Sequence, residues 1–396
     1  MATPKLAAIC TTFFKYSHTQ QIVDRFLDGY GWNGKHHKPP MDLVSLYMDQ
    51  VPKNDLSRER AARHLEMKIY PTIAEALTLG TGKLGVDGVV LVGEHGTYPR
   101  NEKGQTQYPR YEFFNQIVDV FRQSSRAVPV FNDKHLSWNW EWAKKMYDTS
   151  RELKFAFQAG SSLPVTWRIP SVEMPLGARI SEALCVCYGG VDSYDYHGLE
   201  TIQCMVERRR GGETGVKWLQ AYRGPAFWQA LRDGVWPRAL MDAALYRSHT
   251  LAPSRPGFND IYPSLEDMRK IVENPVAYRY EHNDGLKCTM LLMSGLVRDF
   301  NFAAYVDGQH KPWSTQMYLP MPDGRTTTAT FFSPLVNNME QMFLTGKTAY
   351  PIERTLLTTG LTAAGVESLY RKQVRYETPH LNIRYQPTKE STFQRS

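Results

Sequence analysis

Asp133, Lys134 and His135 are three different ionisable residues at the end of one short apolar run, Ala127-Val-Pro-Val-Phe-Asn132. The run reads as a buried strand, and in doubly wound α/β proteins ligands bind at the carboxyl edge of the sheet. A carboxylate, an ammonium and an imidazole brought together are the materials of acid/base catalysis. The plainer alternative is that they cap the next helix, but a helix start uses one cap and not three titratable groups. A second group, Glu94 and His95 in Val92-Gly-Glu-His-Gly-Thr-Tyr-Pro-Arg100, also follows an apolar run and would face the same cleft. The loop after it, with Tyr98, Arg100 and Arg110, is a candidate lid or anion clamp, because loops of that length are often functional. The alternative there is a solvated loop with surface arginines.

A third group is Asp192-Ser-Tyr-Asp-Tyr-His-Gly-Leu-Glu200. If a helix begins near Tyr194, His197 and Glu200 share one face at i and i+3. A histidine braced by a carboxylate is the usual construction of a general acid or base. It equally supplies two metal ligands. Asp192, Asp195 and, further back, Arg168 are candidate substrate contacts alongside His95, Tyr98, Arg100 and Arg110. A divalent metal would draw on Glu94, His95, Asp133, His135, His197 and Glu200, although none sits at a diagnostic ligand spacing.

These residues need elements to position them. Residues 6–13, 42–49, 87–93, 127–132 and 155–161 read as strands, and 17–28, 55–59, 72–79, 111–122 and 137–153 as helical segments between them. Continuous apolar strands with helical crossovers predict a parallel sheet covered on both faces. From residue 164 the pattern changes. A linker-like stretch (164–177) leads to a strand (180–189) and the helix near Tyr194. Alternating segments follow at 276–282, 286–294, 300–307 and 313–319, with turn signals at Asn283-Asp284-Gly285 and Asp307-Gly308. The expected fold is α/β, with a Rossmann-like domain over 1–163 and an α+β domain over 164–396 on a largely antiparallel open sheet. A late helix is expected over 353–370, and the C-terminal segment is expected to pack back on the first domain. An open apolar sheet face has to be covered, which predicts a homo-oligomer.

For a nucleotide, Gly29-Tyr-Gly-Trp-Asn-Gly34 matches GxGxxG but lies after the first helix, where the motif has no phosphate to cradle. The loop after the first strand, Cys10-Thr-Thr-Phe-Phe-Lys-Tyr-Ser17, has no glycine. Thr11, Thr12 and Lys15, with the amino end of the helix capped by Ser17, remain candidate anion contacts. Asp49 closes the second strand, the place of the ribose-binding carboxylate in dinucleotide folds. Glu94 completes this candidate cofactor set.

Composition bounds the reading. The 396 residues are 42% hydrophobic and 22% charged with a formal charge of +7, an ordinary globular balance that favours a small polar or anionic ligand. The basic residues are dispersed apart from Arg208-Arg209-Arg210, so no nucleic-acid partner is expected. No apolar stretch reaches membrane-spanning length. The five cysteines lack disulfide spacing, and Cys185-x-Cys187 reads as reduced core thiols before a redox or metal pair. A cytoplasmic protein without a signal segment is expected.

The order of elements and three motifs resemble the glucose–fructose oxidoreductase/inositol dehydrogenase (Gfo/Idh/MocA) family. Val130-Phe-Asn-Asp-Lys-His135 stands where that family has a strand ending in Glu-Lys-Pro. Gly189-Gly-Val-Asp192, His197 and Glu200 resemble its glycine-rich turn with Asp, His and Asp. Lys347-Thr-Ala-Tyr-Pro-Ile-Glu-Arg-Thr-Leu-Leu357 resembles its C-terminal helix entry. The resemblance implies NAD(P), a sugar, polyol or related hydroxy-acid substrate, Lys134 at cofactor and substrate, and His197 as proton carrier, with Asp133, His135 and Glu200 beside them. The chain departs from the family in its glycine-free first loop, in Asp-Lys-His for Glu-Lys-Pro and in the Asp-to-His spacing. The other reading is a redox-silent lyase or hydrolase on the same scaffold, with a degenerate nucleotide site and a candidate metal.

Overall fold

The computed structural model describes residues 3–252, 262–319 and 329–395. Six strands, β1 Lys5–Cys10, β2 Asp42–Met48, β3 Lys68–Tyr70, β4 Gly88–Val92, β5 Val130–Asp133 and β6 Phe157–Gly160, form one parallel sheet in the order β3-β2-β1-β4-β5-β6. The apolar runs β1, β4, β5 and β6 are buried nearly throughout, as strands covered on both faces must be. β3 was not expected: it is three residues long and mostly exposed, so it carries no apolar signal. Chain order reverses at β1, which pairs with both β2 and β4, and a crevice opens at the carboxyl edge of such a switch point.

Helices α1 His18–Asp28, α2 Arg110–Ser124 and α3 Trp140–Glu152 cover this sheet. Ser17 caps α1 by accepting from the Gln20 amide. α3 begins three residues after the expected Ser137, because Asn139 supplies the cap to the Trp142 amide while Ser137 accepts from the Asn139 amide. The GxGxxG match falls on a hairpin of Tyr30–Trp32 with Lys35–His37, whose turn residues Asn33 and Gly34 have φ of 48° and 73°. Two positive φ values are what a two-residue type I′ turn demands, which explains Gly34, and Gly29 takes its positive φ of 82° at the end of α1, so neither needs a phosphate.

The second sheet has eight strands: β7 Trp167–Ile169, β8 Ile180–Cys187, β9 Val216–Arg223, β10 Val276–His282, β11 Lys287–Leu292, β12 Phe300–Val306, β13 Trp313–Tyr318 and β14 Tyr376–Glu377. Their order is β14-β9-β10-β11-β8-β12-β13-β7, antiparallel except for the β8–β11 pair. The stretch expected as a linker, 164–177, carries the edge strand β7. Both signalled turns join antiparallel neighbours, β10 to β11 and β12 to β13. Helix α4 Tyr194–Val206 and a long helix near the carboxyl end cover one face.

The other face corrects the expectation of an open sheet. Helices Pro225–Arg232, Arg238–Leu245 and Leu265–Ile271 lie over it, burying Leu184, Val186, Leu291 and Ala303 against Trp228, Trp236, Leu240 and Met241. The chain covers this apolar surface itself, which removes the ground on which an oligomer was expected. All five cysteines are free and buried. No helix among the described residues is long and apolar enough to cross a membrane.

Two late helices tie the sheets together. α5 Phe332–Thr345 packs its Phe332, Leu335, Met339 and Phe343 with Leu6 and Ala8 of β1 and Phe26 of α1. α6 Ile352–Tyr370 is buried along most of its length, and glycine lets it approach the second sheet closely. A Cβ on Gly365 would stand 2.3 Å from the Tyr278 ring, which is fully buried and donates to Asp195. Alanine gains about 1 kcal/mol of helix propensity over glycine, but overpacking a fixed ring costs about 1–3 kcal/mol. Gly365→Ala is therefore expected to lower stability in urea unfolding, and a gain would show that the ring can yield.

Candidate functional site

The ionisable residues after β4 and β5 form one buried assembly. The Glu94 carboxylate accepts from Lys134 Nζ at 2.9 Å and Arg110 Nη2 at 2.5 Å. Arg110 Nη1 donates to His135 Nε2 at 3.1 Å, which leaves the His135 proton on Nδ1. Gly93 makes this possible, since a Cβ there would lie 2.5 Å from Arg110 Cγ. Lys134 and His95 both have left-handed backbone, with φ of 62° and 67°. Such conformations cost about 1 kcal/mol or more each and concentrate at functional sites. Burial alone would raise the Glu94 carboxyl, but Lys134 and Arg110 outweigh it and hold it well below the usual range. Burial would lower Lys134, yet Glu94 and Asp133 raise it, so the ammonium stays charged.

A second assembly forms between β6 and α4. The Ser161 amide and hydroxyl donate to the two oxygens of Glu200, at 3.0 and 2.5 Å, and Tyr196 Oη donates to Glu200 at 2.9 Å. His197 Nδ1 lies 3.1 Å from Ser161 Oγ and 3.4 Å from Glu200 Oε2. With the Ser161 proton committed to Glu200, Nδ1 must be the donor. The proton is therefore on Nδ1, and Nε2 is left as a base. Gly160 permits the approach, because a Cβ there would be 3.0 Å from both Glu200 Oε1 and Tyr350 Oη.

Both assemblies reach a cavity of about 280 Å³ between the sheets. Lys134, Ser161 and Ser162 line it from the ends of β5 and β6, Tyr16 and His18 from α1 and the loop before it, and Tyr194, His197 and Phe300 from the second domain. His18 was not among the expected residues. Its Nδ1 is 2.7 Å from Asp133 Oδ2, and Asp133 is fully buried. Its position as first residue of the helix after β1 at the switch point was the available signal.

Lys134 and His197 thus meet at the cavity, with Glu94 and Glu200 immediately behind them and Asp133 behind His18. His135 lies one layer deeper, against Tyr196. His95 packs edge-on to His18 and Phe14. Asp195 lies at the α4 amino end, accepting from the amides of Asp192, Ser193 and Tyr196. Asp192 accepts from the Thr106 amide at 2.8 Å, fastening the loop before α2 to the second domain. Burial and the neighbouring Asp195 push Asp192 up to about 7. Arg100 is exposed, and Arg168 is fixed at the Phe393 ring and the Val172 carbonyl, away from this cavity. No group of three or more His, Cys, Asp or Glu side chains among the described residues is arranged for a metal ion. Glu94 is taken by two cations, Glu200 by Ser161 and Tyr196, and Asp133 by His18.

The nucleotide candidates are brought to one edge, where Thr11, Asp49 and Glu94 are bonded to the protein and Thr12 Oγ1 and Lys15 are not. Thr11 Oγ1 donates to the Glu94 carbonyl at 2.6 Å, Thr12 is buried, and Lys15 is exposed beside Tyr16. Asp49 accepts from Tyr98 Oη at 2.6 Å and Tyr47 Oη at 3.2 Å. The Gln50 side chain pairs with both the amide and the carbonyl of Thr97, at 2.9 and 3.0 Å. Since β1 lies between β2 and β4, these bonds span the carboxyl edge of β1. A dinucleotide in the usual Rossmann position crosses that edge, with its ribose on the carboxylate ending the second strand. Phe13 and Phe14 further close the first loop, pairing with Leu56 and Asp55. As arranged, these residues do not fit a dinucleotide there.

Two buried imidazoles, His135 and His197, and the partly buried His95 give the site an acid sensitivity. Burial, with His18 beside it, lowers His95 to about 4, and burial also lowers His135 and His197. Their folded values lie below the unfolded value near 6.5, so the unfolded chain binds more protons between the two. Stability is full above about 6.5 and falls as pH drops toward 4. His95→Phe is expected to narrow the urea-stability gap between pH 7.5 and pH 5 by about 2 kcal/mol. An unchanged gap would place the sensitivity elsewhere.

No protein-family model and no curated protein matches the sequence. Solved structures do match in fold. A Gfo/Idh/MocA family oxidoreductase from Vibrio cholerae superposes with a TM-score of 0.54 at 13% identity, over 93% of this chain and 99% of that one. The myo-inositol dehydrogenase from Lactobacillus casei, in complex with NAD(H) and myo-inositol, gives 0.53 at 12% identity, over 95% and 97%. A probable dehydrogenase from Thermotoga maritima gives 0.55 at 10% identity, over 95% and 99%. The chain has the two-domain fold of the Gfo/Idh/MocA oxidoreductases, in a divergent form.

Proposed function

We propose that this chain is an enzyme that moves a proton on a small polyhydroxylated carbonyl compound held in the interdomain cavity. His197 Nε2 is the base, and the Lys134 ammonium stabilises the oxygen that gains charge. The observation that carries this reading is the His197 tautomer, fixed by Ser161 and Glu200 so that the bare nitrogen is the one left for the cavity. Lys134 adds a charged donor on the same cavity, with protons to spare beyond its bond to Glu94. Removal of a proton next to a carbonyl leaves an enolate, and a preorganised cation at that oxygen is the largest help a site can give.

The substrate class is supported by the inositol dehydrogenase among the fold's neighbours. The test follows 2-keto-myo-inositol in D₂O by proton NMR. Wild-type protein is expected to exchange the hydrogens beside the ketone, and His197→Asn and Lys134→Met to lose that exchange. No exchange by the wild type rejects the reading.

A second reading, NAD(P)-dependent oxidation of a polyol, is supported by the neighbour that holds NAD(H). It uses the same His197 to take a hydroxyl proton, and it requires the Tyr98–Asp49 and Gln50–Thr97 bonds to open. Calorimetric titration with NAD(H) and NADP(H) separates the two. Micromolar binding together with myo-inositol-dependent nicotinamide reduction would put oxidoreduction first.

A further inference from the structure

We infer that His18, held by Asp133, is a second proton-transfer group on this cavity, so that the site performs a dehydration in which His197 removes a proton and His18 protonates the departing hydroxyl. The inference rests on the proton-transfer reading above and adds the reaction type.

The argument begins with Asp133. It is fully buried, its Oδ2 meets His18 Nδ1 at 2.7 Å, and its Oδ1 has no partner. Burying a carboxylate with so few bonds is costly unless it serves a charge nearby. An ionised carboxylate only accepts, so His18 Nδ1 is the donor to Asp133, and Nε2 is the nitrogen left to carry the proton that acid catalysis gives up. His18 keeps 19% of its side chain exposed, lines the cavity, and is steadied edge-on by Phe332 and His95. A core histidine would bond through both nitrogens or be shut in, and His18 does neither. Asp133 positions the ring and stabilises the imidazolium that acid catalysis requires.

The two histidines come from opposite domains. His18 opens α1 on the first sheet, His197 lies on α4 under the second, and Lys134 stands on the same cavity. An oxidation needs one proton acceptor on this surface. A β-elimination needs a base at the C–H, a cation at the carbonyl and an acid at the hydroxyl, which is the set present. In the step, His197 Nε2 takes the proton beside the carbonyl, and the C–H electron pair becomes the new C=C bond. The C–O bond to the β-hydroxyl breaks with its electrons, and protonated His18 gives that oxygen a proton. The products are an unsaturated ketone and water, with no oxidant or reductant.

The test uses the full-length protein with 2-keto-myo-inositol in D₂O, reading α-exchange by NMR and loss of water by mass spectrometry and enone absorbance. Wild type is expected to do both. His18→Ala is expected to lower dehydration by about 10²–10⁴-fold, the usual worth of a general acid, and at least 100-fold more than it lowers exchange. Added imidazole should restore part of the dehydration in that variant. Asp133→Asn, which loosens the tautomer, should lower dehydration in the same selective way without imidazole rescue. Circular dichroism melts check that each variant folds. Exchange without dehydration in the wild type, or equal loss of both in His18→Ala, overturns the role of His18. Absence of exchange in the wild type instead rejects the parent reading.

Discussion

Glu94→Gln is expected to cost about 3–5 kcal/mol of unfolding free energy, the largest loss of any single replacement near the cavity. Glutamine keeps the shape but removes the charge between Lys134 and Arg110, whose side chains are 6% and 0% exposed. Two buried cations then lose the one carboxylate that bonds them both, leaving only Asp133 near Lys134, and an undercompensated buried charge is what makes breaking such pairs expensive. The pH dependence follows from the sign of the shift. The Glu94 carboxyl is held well below its unfolded value. Its contribution is therefore present above about 4.3 and lost only as pH falls through the lower folded value. The gap between wild type and variant should be constant from pH 5 to 8 and narrow in stronger acid. A second replacement, Lys134→Met, should recover part of the loss, because an apolar side chain in place of a buried charge is often neutral. Urea unfolding of the three proteins decides the matter. A loss under about 1 kcal/mol would mean that water reaches the cluster and screens it.

Much of the scaffold was legible because burial on both faces leaves a plain mark. Strands such as β4, with five buried residues in a row, cannot alternate and so show as unbroken apolar runs. β3 left no such mark, being short and exposed, and β7 lay in a proline-bordered stretch that composition assigns to a linker. The covered face of the second sheet was the larger surprise. The helices over it include two of only eight residues, Pro225–Arg232 and Arg238–Leu245, whose apolar faces carry no local mark of the sheet they cover, so the sheet beneath them read as open.

The site divided in the same way. Residues adjacent to strand ends, Glu94, Asp133 and Lys134, were found because the fold rule places ligands there. His18 escaped notice because one histidine at a helix start has no local pattern; its partner Asp133 is 115 positions away. Asp49 shows the converse. Its place in sequence fits a ribose contact, and only the side chains of Tyr98 and Tyr47 reveal that its oxygens are already engaged. A strand-end rule identifies which residues can reach a cleft, while hydrogen-bond partners from distant segments determine which of them remain free to act.

His197→Asn is expected to lower turnover by about 10²–10⁴-fold, the range for loss of a positioned general base. Asparagine can still bond Ser161, so the loss would reflect proton transfer and not collapse of the wall. The pH profile gives an independent reading. Burial lowers the His197 value, and Glu200 opposes the fall without cancelling it. The base form therefore persists below 6.5, so the acid limb of the wild-type rate should lie under that value. Lys134 is raised above its ordinary value and remains charged well into alkali, so hydrogen exchange beside the ketone, which needs no acid from His18, should keep a broad plateau on the other side. Glu200→Gln removes the opposing charge, so the imidazole should fall further and the acid limb should move to lower pH. The rate on the plateau should fall as well, because the imidazolium formed in the transition state loses its counter-charge. A residue that only held the fold would change the plateau and leave the limb where it was. An acid limb at or above 6.5, or His197→Asn retaining more than about a tenth of the activity, would remove His197 from the chemistry.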